Sequence, residues 1–179
     1  TDAFFESMSG ITTTGSTVIV GLDNASVGIL LWRAVLQWLG GVGIIVMALA
    51  VLPILSVGGM QLFQTEAFDA ADKVLPRATQ LAGGIGGVYI LLTLVWTIAL
   101  WLSGFSGFDA LAHAMTTLAT GGYSTKDASI APFNNPLAEW IIIAGMIVGS
   151  LPFVYCLRGL RGQFKGLFSD SQVRWFAWT

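Results

Sequence analysis

Charge is scarce in this sequence, and so is cysteine. Of its 179 residues 10% are charged, against about 25% in a typical soluble domain, while 55% are hydrophobic and the mean hydropathy is +0.77. These values exclude an ordinary soluble domain and are typical of a membrane protein. The net charge of −2 leaves no basic excess, so nucleic acid is excluded as a partner. The one cysteine, Cys156, excludes an intrachain disulfide.

Three apolar segments are long enough to cross a bilayer, residues 27–52, 81–102 and 137–157. At 1.5 Å per residue even the shortest reaches about 30 Å, which is the thickness of the hydrocarbon core. The connection that follows the first segment is the most polar internal stretch, and spaced apolar residues within it predict a surface helix. We therefore predict an all-α membrane protein with three spanning helices.

Two further apolar segments, 2–11 and 109–118, are only half as long as a span requires. Each begins with aspartate, which is a good N-cap residue, and each ends in a stretch rich in threonine and glycine. A half-length helix followed by irregular backbone is the pattern of a re-entrant pore loop. The chain lacks an initiator methionine and begins in the middle of such a unit, so we expect it to be a fragment of a longer protein.

The two half-length segments are repeats of each other. At an offset of 107 residues, five identical pairs align: Asp2 with Asp109, Ala3 with Ala110, Met8 with Met115, Thr13 with Thr120, and Gly15 with Gly122. The repeat predicts four regions: a pore helix, filter turn and second helix (1–53), a cytosolic connection (54–80), a complete span–pore-loop–span repeat (81–157) and a cytosolic basic segment (158–179).

The turns "TTTGS" (12–16) and "ATGGY" (119–123) suggest a binding site for a monovalent cation. Irregular backbone at membrane depth is tolerated only where it is buried in protein or lines water. Carbonyl oxygens can replace the hydration shell of a cation without a fixed charge that would trap it, and a half-helix C-terminus also favours a cation. The predicted filter residues are Thr12, Thr13, Thr14, Gly15, Ser16, Thr120, Gly121, Gly122 and Tyr123. The carbonyls predicted to bind K⁺ are those of Thr13, Thr14, Gly15, Thr120, Gly121 and Gly122.

Four stretches in this order, "FFESMSGITTTGSTV", "WRAVLQWLGGVGIIV", "GGMQLFQTE" and "AMTTLATGGYST", resemble the TrkH branch of the Trk/Ktr/HKT potassium-transport superfamily. The resemblance covers nearly the whole chain. It implies four membrane–pore–membrane repeats around one pore, each with one filter glycine. Two further repeats would then lie in the remainder of the longer protein. Gly15 and Gly122 would be filter glycines, with Gly121 as the alternative to Gly122. It further implies a homodimer, a cytosolic nucleotide-binding regulatory subunit (TrkA-like), and potassium as the transported ion with no cofactor.

The orientation follows from basic residues after the third span: Arg158, Arg161, Lys165 and Arg174. The positive-inside rule places this end in the cytoplasm, so both turns open from the outer face. We expect a multi-pass protein of the bacterial inner membrane.

Arg33 is the single charge within the first span, and two environments are open for it. It either extends to the interface or pairs with a carboxylate near the pore mouth; the candidates are Glu6, Asp23 and Glu139. His113, which takes the place of Glu6 in the repeat, has no second metal ligand nearby and is expected to pack or hydrogen-bond. Two glycine pairs, at 83 and 87 and at 145 and 149, predict close helix packing.

The function predicted from these patterns is passive potassium uptake through a carbonyl-lined filter. The alternative is a secondary transporter with re-entrant hairpins that form a cation or solute site. That class usually contains inverted repeats, whereas both loops here enter from one side. An enzyme is not expected, because the sequence lacks paired carboxylates at membrane depth, a serine–histidine pair and a metal-ligand set.

Overall fold

The computed structural model describes residues 1–51 and 68–151, with side chains in 1–43 and 83–151. Within these ranges the chain forms five α-helices and two short 3-10 helices, with no β-strand. The α-helices are α1 (Asp2–Ile11), α2 (Val27–Val51), α3 (Phe68–Leu102), α4 (Gly107–Leu118) and α5 (Pro136–Ser150), and the 3-10 helices are Leu22–Asn24 and Ala131–Phe133. The all-α prediction is confirmed for the part of the chain described here.

Both half-length helices are present, but neither has the predicted cap. Helix α1 spans the predicted residues with Thr1, not Asp2, as its N-cap. Helix α4 begins two residues before Asp109, because the Ser106 side chain accepts the backbone N–H of Asp109 (3.0 Å) and donates to its carboxylate (2.7 Å). A serine at this position satisfies an otherwise unpaired N–H of the first turn. The prediction that Asp109 is the N-cap is therefore wrong.

Helix α3 begins at Phe68 rather than at residue 81, so the helix predicted in the connection runs without interruption into the span. Its segment Gly83–Leu102 is the one stretch, within the described residues, that is long and apolar enough to cross a membrane. Helix α2 has 25 residues and so has the length predicted for the first span, with side chains described as far as Gly43. Helix α5, Pro136–Ser150, is shorter than a span requires.

Helix α5 ends earlier than predicted. It begins with Asn135, whose side chain accepts the N–H groups of Leu137 and Ala138, and it ends at Ser150. Leu151 is extended, with φ −78° and ψ 145°, as expected for a residue that precedes proline. The span predicted over 137–157 is helical from Pro136 to Ser150, and residues 152–157 lie outside the described ranges.

The helices pack as two units. The first unit consists of α1 and α2, and the second unit consists of α3, α4 and α5. The two units meet where α4 packs on α2. One core joins α3, α4 and α5 through Leu100, Phe105, Ala110, Ala114, Ala138 and Ile142. A second core, of Ile85, Val88, Tyr89 and Leu118, meets Trp38 and Val42 of α2. Many large apolar side chains on the outer faces remain exposed, among them Phe4, Leu94, Trp101 and Trp140.

Close helix packing at glycine is confirmed for one of the two predicted pairs. A Cβ atom on Gly149 would lie 2.7 Å from the carbonyl oxygen of Leu118, and one on Gly145 would overlap the indole of Trp96. Helix α5 can therefore approach α4 and α3 only because these positions have no side chain. At Gly83 and Gly87 no described atom lies within 4 Å of a Cβ position, so the prediction is not met there in the described structure.

Candidate functional site: two turns at the ends of the half-helices

The two turns have the same backbone conformation at equivalent positions. Thr13 and Thr120 have φ values of 55° and 53°, and Gly15 and Gly122 both have a φ of 79°. These angles lie in the left-handed region, which costs a residue other than glycine on the order of 1–2 kcal/mol. The offset of 107 residues read from the sequence is therefore a structural repeat. It places Gly122, rather than Gly121, in the conformation of Gly15.

The hydrogen bonds that end the two half-helices also repeat. The N–H of Thr14 donates to the carbonyl of Ser9 (3.0 Å), and the N–H of Gly121 donates to that of Thr116 (2.9 Å). Together with bonds from the N–H groups of Thr13 and Thr120, this is the Schellman arrangement, in which the helix-end carbonyls are satisfied by the next residues. Each helix thus stops within one turn, and the chain continues without regular secondary structure.

Six carbonyls of the two turns have no hydrogen-bond partner among the described residues. They are the carbonyls of Thr13, Thr14, Gly15, Thr120, Gly121 and Gly122. Thr14, Thr120 and Gly122 are exposed, as residues that line an open path would be. A row of unpaired ones on two equivalent turns is therefore suited to bind a cation.

The two turns are in direct backbone contact. A Cβ atom on Gly15 would overlap the carbonyl oxygen of Gly121, so this approach requires glycine at position 15. A Cβ on Gly121 would overlap the side-chain amide of Gln37. By contrast, no described atom lies within 4 Å of the Cβ position of Gly122, which borders open space. The two adjacent glycines are therefore needed for different reasons, one for close packing and the other for its φ value.

Arg33 is buried and paired with Glu6. Its Nε donates to a Glu6 carboxylate oxygen at 2.7 Å, and the side chains are 3% and 6% exposed. The guanidinium also donates to the carbonyl of Ser124 (3.0 Å) and to the hydroxyl of Thr17 (3.2 Å). Of the two predicted environments the ion pair is confirmed, and extension of Arg33 to the interface is wrong. Asp23 pairs with Lys126 at the surface instead.

Tyr123 joins the second turn to the first unit. Its hydroxyl donates to the carbonyl of Glu6 (2.9 Å) and lies 3.3 Å from that of Ser16, and its ring lies 4.0 Å from the Arg33 guanidinium carbon. Its backbone N–H donates to Oε1 of Gln37 at 3.1 Å. The side chain of Tyr123, a residue of the second turn, thus packs inside the first unit.

His113 forms hydrogen bonds, as predicted. Its Nδ1 lies 2.7 Å from the carbonyl of Asp109 and its Nε2 lies 3.0 Å from the hydroxyl of Ser124. The ring meets Phe105 and Phe133 edge to face. The pair of His113 and Ser124 repeats the pair of Glu6 and Thr17 (2.8 Å) at the same offset. In the described ranges no three histidine, cysteine or acidic side chains form a metal site.

The second unit has a cavity of about 260 Å³ where the first unit holds Tyr123. Gly40 of α2 packs against the end of α1, and Gly149 of α5 packs against the end of α4. These two glycines are therefore equivalent, and they align α2 with α5 at an offset of 109 residues. At this offset Ile142 and Met146 take the places of Arg33 and Gln37. Both line the cavity, together with His113, Ser124 and the turn from Thr120 to Tyr123. The cavity is thus the second unit's counterpart of the space that Tyr123 fills.

Sequence reasoning missed two residues of this site. It included Tyr123 in the filter turn, but it did not predict that the side chain reaches into the neighbouring unit. It did not single out Gln37, which is 0% exposed and contacts both turns. The available signal was an uncharged amide in the middle of an apolar segment, since a buried amide requires partners.

Known proteins are similar to this chain over nearly its whole length. A family model described as TrkH, "Cation transport protein", matches residues 1–175. The Trk system potassium uptake protein TrkI of Halomonas elongata is 49% identical over 97% of this chain and 36% of its own length. TrkH of Escherichia coli K12 is 44% identical over 98% of this chain and 37% of its own length. The crystal structure of the potassium transporter TrkH from Vibrio parahaemolyticus matches with a TM-score of 0.84 at 38% identity, covering 99% of this chain and 36% of the other. The chain therefore spans little more than a third of the length of these relatives.

Proposed function

Because the chain belongs to the TrkH family of cation transport proteins, we propose that it supplies two filter turns of a potassium-selective pore in a longer protein. The observation that carries the proposal is the pair of equivalent turns, which lie against each other with unpaired carbonyls. The relatives, named potassium uptake proteins, support potassium as the ion. The named relatives are transport proteins and not enzymes.

In this proposal, K⁺ loses its water and binds the carbonyls of Thr13, Thr14, Gly15, Thr120, Gly121 and Gly122. Carbonyl dipoles bind a monovalent cation strongly enough to replace water and weakly enough to release it. The nearest buried charges, Glu6 and Arg33, neutralise each other. They therefore add little net field to the ion path, and the backbone dipoles set the affinity. Flux is passive along the filter.

The lengths of α1 and α4 support a re-entrant arrangement. Helices of 10 and 12 residues reach about 15–18 Å, half the hydrocarbon thickness. Each is followed by an irregular segment with a short 3-10 helix that leads to a further apolar helix, α2 or α5. We therefore propose that each half-helix enters the membrane from the outer side and that its turn ends at mid-depth. The location proposed for the whole protein is the bacterial inner membrane, with several spans.

The cavity beside the second turn supports the presence of further units around the pore. In the first unit the same space holds Tyr123 of the second unit. A third unit, outside this chain, would fill the second cavity in the same way, and four units would enclose the ion path. Assembly of two such chains and regulation by a cytosolic nucleotide-binding subunit (TrkA-like) are proposed from family resemblance.

The test is substitution of Gly122 by serine in the full-length protein, in a bacterium deficient in potassium uptake. Gly122→Ser places a side chain on a residue with a φ of 79° and open space beside it, so it strains the turn without a collision. We expect the ratio of K⁺ to Na⁺ uptake to fall at least tenfold while the protein remains in the membrane. Influx of each ion measures this ratio.

Gly21→Ser is the matched control, because Gly21 has a φ of 81°, equally open surroundings and a position outside both turns. Gly121→Ser would be a poor control, since its side chain would collide with Gln37. If Gly122→Ser and Gly21→Ser leave ion preference equally unchanged in inserted protein, the filter proposal is wrong. The secondary transporter with re-entrant hairpins would then be the better explanation.

A further inference from the structure

Gln37 lies between the two turns and is completely buried. Its Oε1 accepts the backbone N–H of Tyr123 at 3.1 Å. Its amide occupies the space next to Gly121, and its Nε2 lies 3.7 Å from the Cβ position of Gly15. The bond to Tyr123 joins α2 of the first unit to the backbone of the second turn.

The bond to Tyr123 fixes the direction of a carbonyl. A peptide unit is planar and trans, so its N–H and C=O groups point in opposite directions. The N–H of Tyr123 belongs to the same peptide unit as the carbonyl of Gly122. With the N–H directed to Gln37, the Gly122 carbonyl points away from α2. Gly122 has a φ of 79° and open surroundings, so packing alone does not prevent this peptide unit from rotating.

The Nε2 atom of Gln37 indicates that packing alone does not account for a glutamine at this position. Among the described residues, Nε2 of Gln37 is buried without a hydrogen-bond partner. An unpaired buried amide N–H destabilises a folded protein, whereas a methionine of similar shape would fill the same space without that penalty.

We infer that Gln37 is a positioning residue for ion selectivity, which holds the peptide unit between Gly122 and Tyr123 so that the Gly122 carbonyl faces the ion path. This inference rests on the proposed function, and it adds that ion selectivity depends on a residue outside the two turns. Loss of the bond lets the peptide unit rotate, which replaces a carbonyl oxygen by an N–H donor. An N–H group repels a cation, so selectivity falls while the fold is retained.

The experiment compares three variants of the full-length protein in the uptake-deficient bacterium. Gln37→Met keeps the volume and removes the acceptor. Gln37→Glu keeps a side-chain oxygen acceptor, whether charged or neutral, and removes the Nε2 donor. Thr93→Val is the control, since Thr93 is also a buried polar residue on a spanning helix, bonded to Trp38 and Tyr89 and remote from the turns. Half-saturation concentrations for K⁺ and Na⁺ are measured for each variant, together with membrane abundance.

We expect Gln37→Met to reduce the preference for K⁺ over Na⁺ at least tenfold at wild-type abundance. Gln37→Glu should stay within threefold of the wild-type preference, and Thr93→Val should leave it unchanged. A structural role alone would lower abundance in Gln37→Met without changing the preference of the remaining protein, and this result would overturn the inference. If Gln37→Met fails to insert, the Gln37→Glu variant decides, since a tenfold loss of preference there contradicts a role for the acceptor.

The outcome for Gly122 separates the two proposals. If Gly122→Ser alters ion preference and Gln37→Met does not, the filter proposal stands and the role of Gln37 is wrong. If neither variant alters preference in inserted protein, the filter proposal itself fails.

Discussion

Among single residues, the buried pair of Glu6 and Arg33 does the most to connect the two units. Glu6 belongs to α1 and Arg33 to α2, while Arg33 also contacts Ser124 and the ring of Tyr123 in the second unit. A buried charge is tolerated only with its partner and additional hydrogen bonds. Besides Glu6, the guanidinium contacts Thr17, Tyr123 and Ser124, which lie in or directly after the two turns.

Removal of Arg33 alone is expected to be strongly destabilising. Arg33→Met leaves the Glu6 carboxylate buried without its counter-ion, which typically costs about 3–5 kcal/mol. We expect a large loss of folded protein in the membrane, measured by fluorescence-detected chromatography in detergent. The double variant Glu6→Gln with Arg33→Met should recover part of that loss.

The surface pair of Lys126 and Asp23 provides the comparison. Its atoms are 3.5 Å apart and its side chains are 33% and 48% exposed, so Lys126→Ala should cost at most about 1 kcal/mol. Equal losses for Lys126→Ala and Arg33→Met would contradict the assignment of Arg33 as a buried structural charge.

At the scale of elements, Asp127 links the two segments that follow the turns. It lies after the second turn and binds backbone N–H groups that lie after the first turn. Its Oδ1 accepts the N–H groups of Leu22 (2.9 Å) and Gly21 (3.0 Å), which lie after the first turn. These bonds stabilise the carboxylate and hold the pKa of Asp127 below its usual value of 3.8. The contact is therefore present above the unfolded-state pKa and is lost as the pH falls through the lowered value.

Asp127→Asn is expected to weaken this contact at neutral pH. The amide of asparagine is a poorer acceptor than a carboxylate for two N–H groups, so hydrogen exchange in the segment around Gly21 and Leu22 should become faster. Exchange is measured by mass spectrometry and corrected for its intrinsic pH dependence. The difference from wild type should shrink as the pH falls through the lowered pKa of Asp127, because its carboxylate is then protonated as well. A difference that does not change with pH would contradict a contribution from the carboxylate.

At the scale of the whole molecule, the cavity of the second unit predicts where a third unit packs. In the described structure, Tyr123 lies beside Arg33 and Gln37 of the first unit, and the equivalent positions in the second unit are Ile142 and Met146. Both are uncharged, so the residue that enters there needs no counter-ion. An apolar or neutral side chain is expected.

Cysteine cross-linking in the full-length protein tests this arrangement. In a background with Cys156 replaced by alanine, Met146→Cys is paired with cysteines placed one at a time after the filter glycine of the third unit. The residue directly after that glycine should cross-link most efficiently through a short bifunctional thiol reagent. The pair Gln37→Cys and Tyr123→Cys is the benchmark, since these residues are in contact. The arrangement is contradicted if the benchmark pair cross-links and no cysteine in the third unit does. The cavity would then not be an interface between units.

Particular elements show how far sequence reasoning reached. The offset of 107 predicted the pairing of Thr13 with Thr120 and of Gly15 with Gly122, and each pair has matching φ values. The bounds of α1 were also predicted. The start of α4 and the end of α5 were not, because a serine cap and a following proline outweigh the apolar pattern at helix ends.

By itself the sequence determined the class of protein, the two half-helices and the repeat, since low charge, segment length and spacing are local properties of a chain. The tertiary structure alone decided which carboxylate pairs with Arg33, why two adjacent glycines are needed at 121 and 122, and that Gln37 and Tyr123 join the two units. These contacts join residues 27 to 117 positions apart. No local pattern records them, because they depend on how α2 and α4 pack together in space.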